Sequence, residues 1–394
     1  MKNFVYFYNT KLYFGQNSIE NILDELKNHQ VKRILFCYGR ESIKKNGIYD
    51  EVIKILKTSS CKFWELSGIK PNPTLDSLNL GIKLVKQNNI DFILAVGGGS
   101  VIDLAKAVAA CSQSKSAPWE LFCKNEYDYQ PLPVGAVLTL AATGSENNGN
   151  AVVTNEQEQS KRSINDPRIV PKFAILDPSY TLSVNRWHTV CGSIDIISHC
   201  LEQYFSTEKN TDLIDNLTLA IIKTVIDNTK IVLSKPKDLN ARSEILLASS
   251  FALNGLLSCS KFNTTGWETH TLGHPVSAMY DATHGATLAV IFPRIIKHLK
   301  NVMWMEKYQK LGKLLNIEVN SLKDVDLLAD KLLELFVSWG SFSKLRDFGV
   351  KEYDIDIMSM KAFDRKNLDY KYDKIGFVKP LDFEEIKKIY QECY

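Results

Sequence analysis

Residues 93–110 read ILAVGGGSVIDLAKAVAA, an apolar run, then three glycines and a serine, then a second run with helical periodicity. The pattern predicts a buried strand, a tight turn at Gly97–Ser100 and a helix. Glycines let the backbone approach a ligand closely, and a helix N-terminus presents free N–H groups. The loop therefore suits a pyrophosphate, with a simple turn capped by Ser100 as the alternative. Its spacing is neither that of G-x-G-x-x-G nor that of a P-loop.

The same strand–helix alternation extends through the first 180 residues. Stretches such as 43–57 and 101–112 have helical periodicity, and short apolar runs between such stretches predict strands at 33–38, 61–66, 91–96, 134–140 and 172–177. This order predicts βαβ units and a mostly parallel sheet. After about residue 184 amphipathic helical patterns dominate. We therefore predict a Rossmann-like α/β domain of the nucleotide-binding type (1–182) and an all-helical domain (183–394).

Composition excludes several classes of function. Among the 394 residues, 48 Lys and Arg against 45 Asp and Glu give a net charge of +3, so no basic surface predicts a nucleic-acid partner. No apolar run reaches the roughly 20 residues of a membrane helix. The first fifteen residues, MKNFVYFYNTKLYFG, predict a strand pair rather than a signal peptide. The eight scattered cysteines are typical of reduced thiols in a cytoplasmic protein.

A second loop follows the strand predicted at 134–140. Residues 139–148 read TLAATGSENN, with small and hydroxylated side chains that would let a ligand approach the backbone. An ordinary polar turn is the alternative. Asp103 lies in the first turn of the helix after Gly97–Ser100, where an acid suits the helix dipole. It is also a candidate to accept hydrogen bonds from ribose or substrate hydroxyls.

Four of the seven histidines and one aspartate form a spaced pattern in the second half of the chain. Asp195 and His199 are four residues apart in a helical stretch, as are His270 and His274, so each pair shares a helix face. Burying such groups is costly unless they are paired or bind metal. His284 can join them only if the chain bends, and Pro275 and the turn-like 280–285 are the predicted breaks. The pattern thus predicts a site for Fe²⁺ or Zn²⁺ formed by Asp195, His199, His270 and His284. The alternative is that the histidines are hydrogen-bonded residues of the core.

Five motifs in this order resemble the iron-containing (group III) alcohol dehydrogenase family. They are GGGSVIDLAK, LTLAATGSE, AILDPSYT, GSIDIISHCLEQY and THTLGHPVSAMYDATHG. The resemblance covers nearly the whole chain and is strongest to the NADPH-dependent butanol dehydrogenase and aldehyde reductase branch. It implies one divalent metal held by Asp195, His199, His270 and His284, with His274 near the nicotinamide. It also implies a homodimer.

The resemblance further implies which residues contact the coenzyme. The family pattern falls on Gly98, Gly99, Ser100 and Asp103, on Thr139 and Thr143, on Lys161 and on Leu182. Coenzyme choice is expected at Gly39, Arg40 and Ser42. Arg40 can pair with a 2′-phosphate, whereas Glu41 opposes one and a second glycine of the NADPH pattern is missing. We predict NADP(H), with NAD(H) as the alternative.

These features predict hydride transfer between a nicotinamide and a short-chain aldehyde or alcohol such as butanal or butanol. The metal would act as a Lewis acid, and His274 is the candidate proton relay. The competing enzymes on this scaffold are glycerol-dehydrogenase-like and dehydroquinate-synthase-like. A metal-dependent hydrolase would not need the Gly97–Ser100 loop, and a non-catalytic nucleotide sensor would not need a full set of metal ligands.

Overall fold

The computed structural model describes residues 2–7, 9–124, 127–261, 264–363, 374–376 and 378–394. Its strands are β1 (Lys11–Phe14), β2 (Arg33–Tyr38), β3 (Lys62–Leu66), β4 (Phe92–Gly97), β5 (Val134–Leu138), β6 (Asn150–Asn155), β7 (Ser160–Asn165) and β8 (Phe173–Leu176). Its helices are α1 (Asn21–Asn28), α2 (Ser42–Lys45), α3 (Ile48–Thr58), α4 (Leu75–Asn88), α5 (Gly99–Cys111), α6 (Pro118–Leu121), α7 (Arg186–Tyr204), α8 (Asp212–Ser234), α9 (Leu239–Ala252), α10 (Glu268–Tyr280), α11 (His284–Leu299), α12 (Met305–Leu314), α13 (Leu322–Trp339), α14 (Ile355–Phe363) and α15 (Phe383–Cys393).

The chain forms two compact units. The α/β unit comprises Tyr8–Asn185 and Lys237–Asn254, and the helical unit comprises Met1–Phe7, Arg186–Pro236 and Gly255–Tyr394. After the first seven residues, which belong to the helical unit, the chain forms the α/β unit, re-enters the helical unit at α7, returns to the α/β unit for α9, and then completes the helical unit.

A parallel sheet forms the centre of the α/β unit. Its order among the described residues is β1-β8-β5-β4-β2-β3, and every neighbouring pair is parallel. Along β4, Ile93 and Ala95 pack into one apolar cluster with α4 and α5, whereas Leu94 and Val96 pack into another with α1 and α3. Helices therefore cover both faces, which explains why the strands are continuously apolar in sequence.

The five strands predicted from apolar runs are confirmed as β2, β3, β4, β5 and β8. The predicted N-terminal strand pair is wrong, because only Lys11–Phe14 form a strand among the described residues before Gly15, and that strand pairs with β8. Its partner lies far along the chain, so local sequence gave no indication of it. The antiparallel hairpin of β6 and β7 was not predicted, since its polar residues lack an apolar run.

Helices build the described part of the helical unit, as predicted. α7 lies at its centre and is buried continuously from Thr189 to Tyr204, with α8, α10, α11 and α13 packed against it. Polar side chains on this helix therefore lie in the core, where each needs a partner. Within the described residues, we find no helix whose length and apolar content would let it span a lipid bilayer.

Candidate functional site

Three helices of the helical unit bring together the four residues predicted to bind metal. α7 carries Asp195 and His199 one turn apart, α10 carries His270, and α11 begins at His284. The Nε2 atoms of His199 and His270 each lie 3.7 Å from Oδ1 of Asp195. The Nε2 atom of His284 lies 3.9 Å from the same oxygen. The ligand atoms of Asp195, His199 and His270 all lie within 4.8 Å of one another, and His284 approaches this group at the same Asp195 oxygen.

The separations suit a shared ion better than direct hydrogen bonds. A nitrogen 3.7 Å from an oxygen is beyond hydrogen-bond distance. Ligands that each lie about 2.1 Å from a tetrahedral ion are about 3.4 Å from one another. Oδ1 of Asp195 and Nε2 of His270 are buried and have no hydrogen-bond partner among the described residues. Because buried polar atoms are normally paired, this donor set fits a divalent cation.

Glu202 orients one of these imidazoles and was not predicted from the sequence. Its carboxylate contacts Nδ1 of His270 and accepts backbone hydrogen bonds from Thr269 at 2.6 Å and from His270 at 3.3 Å. A carboxylate can only accept, so Nδ1 carries a proton, and in the neutral ring Nε2 keeps its lone pair toward Asp195. Such a carboxylate–histidine pair is the usual support of a metal-binding imidazole. Glu202 follows Asp195 and His199 at helical spacing, and that spacing could have revealed it.

Electrostatics set the protonation states of the four candidate ligands. Burial alone would raise the pKa of Asp195, but the imidazoles of His199, His270 and His284 outweigh it and lower the pKa below its ordinary value. Burial lowers the pKa of His199 to about 4, so this ring is neutral at pH 7. Burial also opposes a charge on His270, but the Glu202 and Asp195 carboxylates raise its pKa to about 9, so a metal that binds Nε2 displaces a proton from this ring. The carboxylate and a neutral imidazole are the protonation states that metals bind.

The reversal between α10 and α11 brings His284 back to the other ligands. Asp281, with a φ of 48°, ends α10, and Thr283 precedes α11. Pro275 was predicted to break the chain and does not, because it lies inside α10. A Cβ on Gly285 would overlap the backbone of Cys191, so only glycine lets the start of α11 approach α7 this closely.

His274, the predicted proton relay, lies one turn beyond His270 on α10 and is buried. Its ring centroid is 5.5 Å from that of His284. Trp267, just before α10, packs edge-on against His270 with ring centroids 5.4 Å apart. The structure thus places His274 beside the ligand cluster, and the Trp267 ring packs against the rings of His199 and His270.

The predicted coenzyme segments lie at the carboxyl ends of three adjacent strands in the α/β unit. The segment 39–42 follows β2, Gly98 and Gly99 follow β4, and Thr139 follows β5, and β4 pairs with both β2 and β5. From β2 the chain continues outward to β3, whereas from β4 it continues to β5 on the other side. Dinucleotides bind where the strand order reverses in this way. Arg40 and Ser42 are exposed there.

The first residue of α5 packs directly on the second loop. A Cβ on Gly99 would overlap the side chain of Thr143, and the Thr139 amide donates to the Gly97 carbonyl at 3.0 Å. Gly98 precedes the helix in an extended conformation. The N-terminus of α5 and residues 139–143 therefore form one continuous backbone surface, which suits a pyrophosphate and the adjoining ribose.

The remaining predicted coenzyme residues differ in their surroundings. Asp103 is buried, where it accepts hydrogen bonds from the Ser145 hydroxyl and from the Val152 amide at 3.3 Å. Lys161 lies on β7 and donates to Oδ1 of Asn72 at 2.8 Å. Leu182 lies in a short 3₁₀ helix, Pro178–Ser183, after β8.

Comparison with known proteins gives matches over most of both units. A family model described as iron-containing alcohol dehydrogenase matches residues 9–178, and the C-terminal model of the Fe-containing alcohol dehydrogenase family matches residues 189–394. NADH-dependent butanol dehydrogenase B of Clostridium acetobutylicum is 36% identical over 398 residues and is covered in full, as is this chain. NADPH-dependent aldehyde reductase YqhD of Escherichia coli is 29% identical, with 99% of each chain covered.

A solved structure agrees in fold over the whole chain. The crystal structure of NADH-dependent butanol dehydrogenase A from Thermotoga maritima superimposes with a TM-score of 0.95 at 34% identity, covering 100% of this chain and 99% of that one. Enzymes of this family use NAD(P)H and a divalent metal. The two family models, the full-length relatives and the fold lead to one conclusion: this chain belongs to the iron-containing alcohol dehydrogenase family.

Proposed function

We propose that this protein is a metal-dependent, NAD(P)H-linked alcohol dehydrogenase or aldehyde reductase that acts on short-chain substrates such as butanal and butanol. The observation that carries the proposal is the convergence of three imidazoles on one oxygen of Asp195, at 3.7 to 3.9 Å. The relatives named butanol dehydrogenase and aldehyde reductase support the substrate class.

Asp195, His199, His270 and His284 are the proposed ligands of one Fe²⁺ or Zn²⁺ ion. A divalent ion bound there supplies Lewis-acid polarisation of a carbonyl or alcohol oxygen. Glu202 holds the His270 ring in the tautomer that leaves Nε2 unprotonated. Since two helices and the start of a third fix the four side chains, the ligand set is arranged before the ion binds.

His274 is the proposed proton relay. It lies beside the ligand cluster without belonging to it, with its ring 5.5 Å from that of His284. Reduction of an aldehyde requires a proton for the product oxygen, and an imidazole can release one near neutral pH. His274 would supply that proton and recover it from solvent, or remove it in the direction of alcohol oxidation.

The coenzyme is proposed to bind along Gly98–Ser100, Thr139 and Thr143, with Lys161 and Leu182 at its margins. We propose NADP(H) because exposed Arg40 lies beside Ser42 at the end of β2, where a 2′-phosphate would meet it. Glu41 forms an ion pair with Lys44 at 3.9 Å, which offsets its repulsion of a phosphate. The relatives' names include both coenzymes, so kinetics with each coenzyme are the deciding measurement.

A homodimer in the cytoplasm is the proposed setting. In the N-terminal segment 2–7, Val5 is 94% exposed and Phe7 is 76% exposed. Adjacent exposed apolar side chains of this kind suit burial by a second copy of the chain. The eight scattered cysteines, which are typical of reduced thiols, support a cytoplasmic location. Light scattering should give a dimer mass for the wild type, and a monomer mass for V5D would identify the segment as the interface.

Activity can be tested on protein stripped of metal with a chelator. Fe²⁺ or Zn²⁺ is added with NADPH or NADH and butanal, and the absorbance of the reduced nicotinamide is followed. We expect oxidation that depends on metal, coenzyme and aldehyde together, and its loss in H270A. A flat trace with either metal, either coenzyme and several short aldehydes would overturn the proposal.

A further inference from the structure

We propose that Lys106 is a positioning residue for coenzyme binding, because its buried ammonium group fixes the second loop (139–148) against the glycine-rich start of α5. The inference rests on the proposed function, since it assigns those two segments to the coenzyme. Lys106 itself lies inside the α/β unit, where it is 0% exposed. It therefore acts through the loop rather than by touching the coenzyme.

Within the described residues, the hydrogen bonds that Lys106 donates from Nζ go to the second loop. Nζ donates to the carbonyl oxygens of Ser145 at 2.7 Å and Asn148 at 3.1 Å, and to Oδ1 of Asn148 at 3.3 Å. An ammonium group has three protons, and these three acceptors use them. The Lys106 side chain thus fixes the second half of the loop at two residues, Ser145 and Asn148.

Asn148 connects Lys106 to Thr143, the residue of the loop that packs on Gly99. The side-chain amide of Asn148 donates to the carbonyls of Thr143 at 3.2 Å and Gly144 at 2.8 Å. Gly144 has a φ of 59°, and a Cβ there would lie 2.7 Å from the carbonyl oxygen of Ser249. The backbone that follows the Cα of Thr143 is therefore fixed through Asn148, which Lys106 itself fixes.

Asp103 completes the network from the same helix. Its Oδ1 lies 3.8 Å from Nζ of Lys106 and accepts a hydrogen bond from the Ser145 hydroxyl. Burial raises the pKa of Asp103, and burial lowers the pKa of Lys106 to about 8, so the pair is costly to bury. We infer that Asp103 also acts on the coenzyme indirectly, by holding Ser145.

Stability alone does not explain the buried charges of Asp103 and Lys106, because apolar packing gives comparable stability without the desolvation cost. A rigid backbone surface for a dinucleotide is a function that apolar packing of α5 cannot supply, because the loop carbonyls of Ser145 and Asn148 would be left without donors. Loss of Lys106 should therefore weaken coenzyme binding far more than it affects the metal ligands in the helical unit.

The test compares K106M with the wild type in the full-length protein. The dissociation constant for NADPH and for NADH is measured by the fluorescence of the reduced nicotinamide, and zinc affinity is measured by competition with a chromophoric chelator. We expect K106M to raise the coenzyme dissociation constant at least tenfold while zinc affinity stays within twofold. V108A is the matched control, because Val108 is a fully buried apolar residue on the same helix and its loss should leave coenzyme affinity within twofold.

The outcomes separate this proposal from the function it rests on. If the wild type binds neither coenzyme, the proposed function is wrong. If the wild type binds coenzyme and K106M binds it equally well, or V108A weakens binding as much as K106M does, the positioning role is wrong. Should K106M fail to fold, S145A removes only the hydroxyl that contacts Asp103. We expect it to raise the coenzyme dissociation constant at least threefold, and an unchanged value would overturn the proposal.

Discussion

Replacing Glu202 with glutamine is expected to weaken metal binding without unfolding the site. Glutamine has nearly the same shape, and its carbonyl can keep the backbone hydrogen bonds from Thr269 and His270. Its amide group, however, donates where the carboxylate accepted. The Nδ1 atom of His270 must then accept, so the ring proton moves to Nε2, the atom that faces Asp195.

The expected size of the effect follows from the one contact that changes. A hydrogen bond to a charged group contributes about 1.5–3 kcal/mol. Each factor of ten in affinity corresponds to about 1.4 kcal/mol, so E202Q should weaken metal binding about 10- to 100-fold. Loss of a carboxylate behind a metal-binding histidine has an effect of the same size in other metal sites.

Zinc affinity of metal-free protein, measured by competition with a chromophoric chelator, gives this number directly. S198A is the matched control, because the buried Ser198 hydroxyl lies on the same helix and has no hydrogen-bond partner among the described residues. S198A should bind zinc within twofold of the wild type. If E202Q also bound zinc within twofold of the wild type, the tautomer argument would be refuted.

Four further predictions concern separate parts of the molecule. H274A should bind zinc normally but lower kcat with saturating butanal by about 10²- to 10⁴-fold, the usual contribution of a general acid; normal turnover would remove the relay role. G285A should weaken zinc binding at least tenfold, because its Cβ would overlap the Cys191 backbone, and zinc titration checks this. R40A should lower kcat/KM for NADPH about tenfold and leave that for NADH unchanged, which steady-state kinetics with each coenzyme would reveal. D215N should lower the free energy of unfolding at pH 7 by about 3–5 kcal/mol, because Lys261 and Lys307 each donate to that carboxylate. Burial would raise the pKa of Asp215, but the two lysines lower it below its ordinary value. The wild type should therefore begin to lose this stability as pH falls below the ordinary aspartate pKa of about 4. D215N should not show this contribution in urea unfolding across the same pH range.

The sequence predicted most of the sheet because the pattern that marks a buried strand is local. Each strand such as β4 is a short apolar run between polar or glycine-rich turns, and burial on both faces of a parallel sheet requires that pattern. Two features of the α/β unit lacked such a local apolar pattern and were missed. β1 gains its pairing from β8, and the hairpin of β6 and β7 consists largely of polar residues.

The ligand pattern was also local in part. Spacing of four residues put Asp195 and His199 on one helix face, and the structure gathers both with His270 and His284. Glu202 has the same kind of spacing on the same helix, but a glutamate on a helix is ordinary in sequence. Only its contact with His270, which lies on another helix, shows that Glu202 orients this imidazole.

By itself, the sequence determined the strands β2, β3, β4, β5 and β8, the glycine loop at the start of α5 and the helical spacing of the candidate ligands. Hydrophobic periodicity and backbone preference act over a few residues, so these features can be read from short stretches. The tertiary structure alone decided that α11 starts against α7 at Gly285, that Glu202 fixes the ring of His270, and that Lys106 holds a loop some forty residues away. Those contacts depend on how whole helices pack, and packing is set by the combined shape of many side chains rather than by any local pattern.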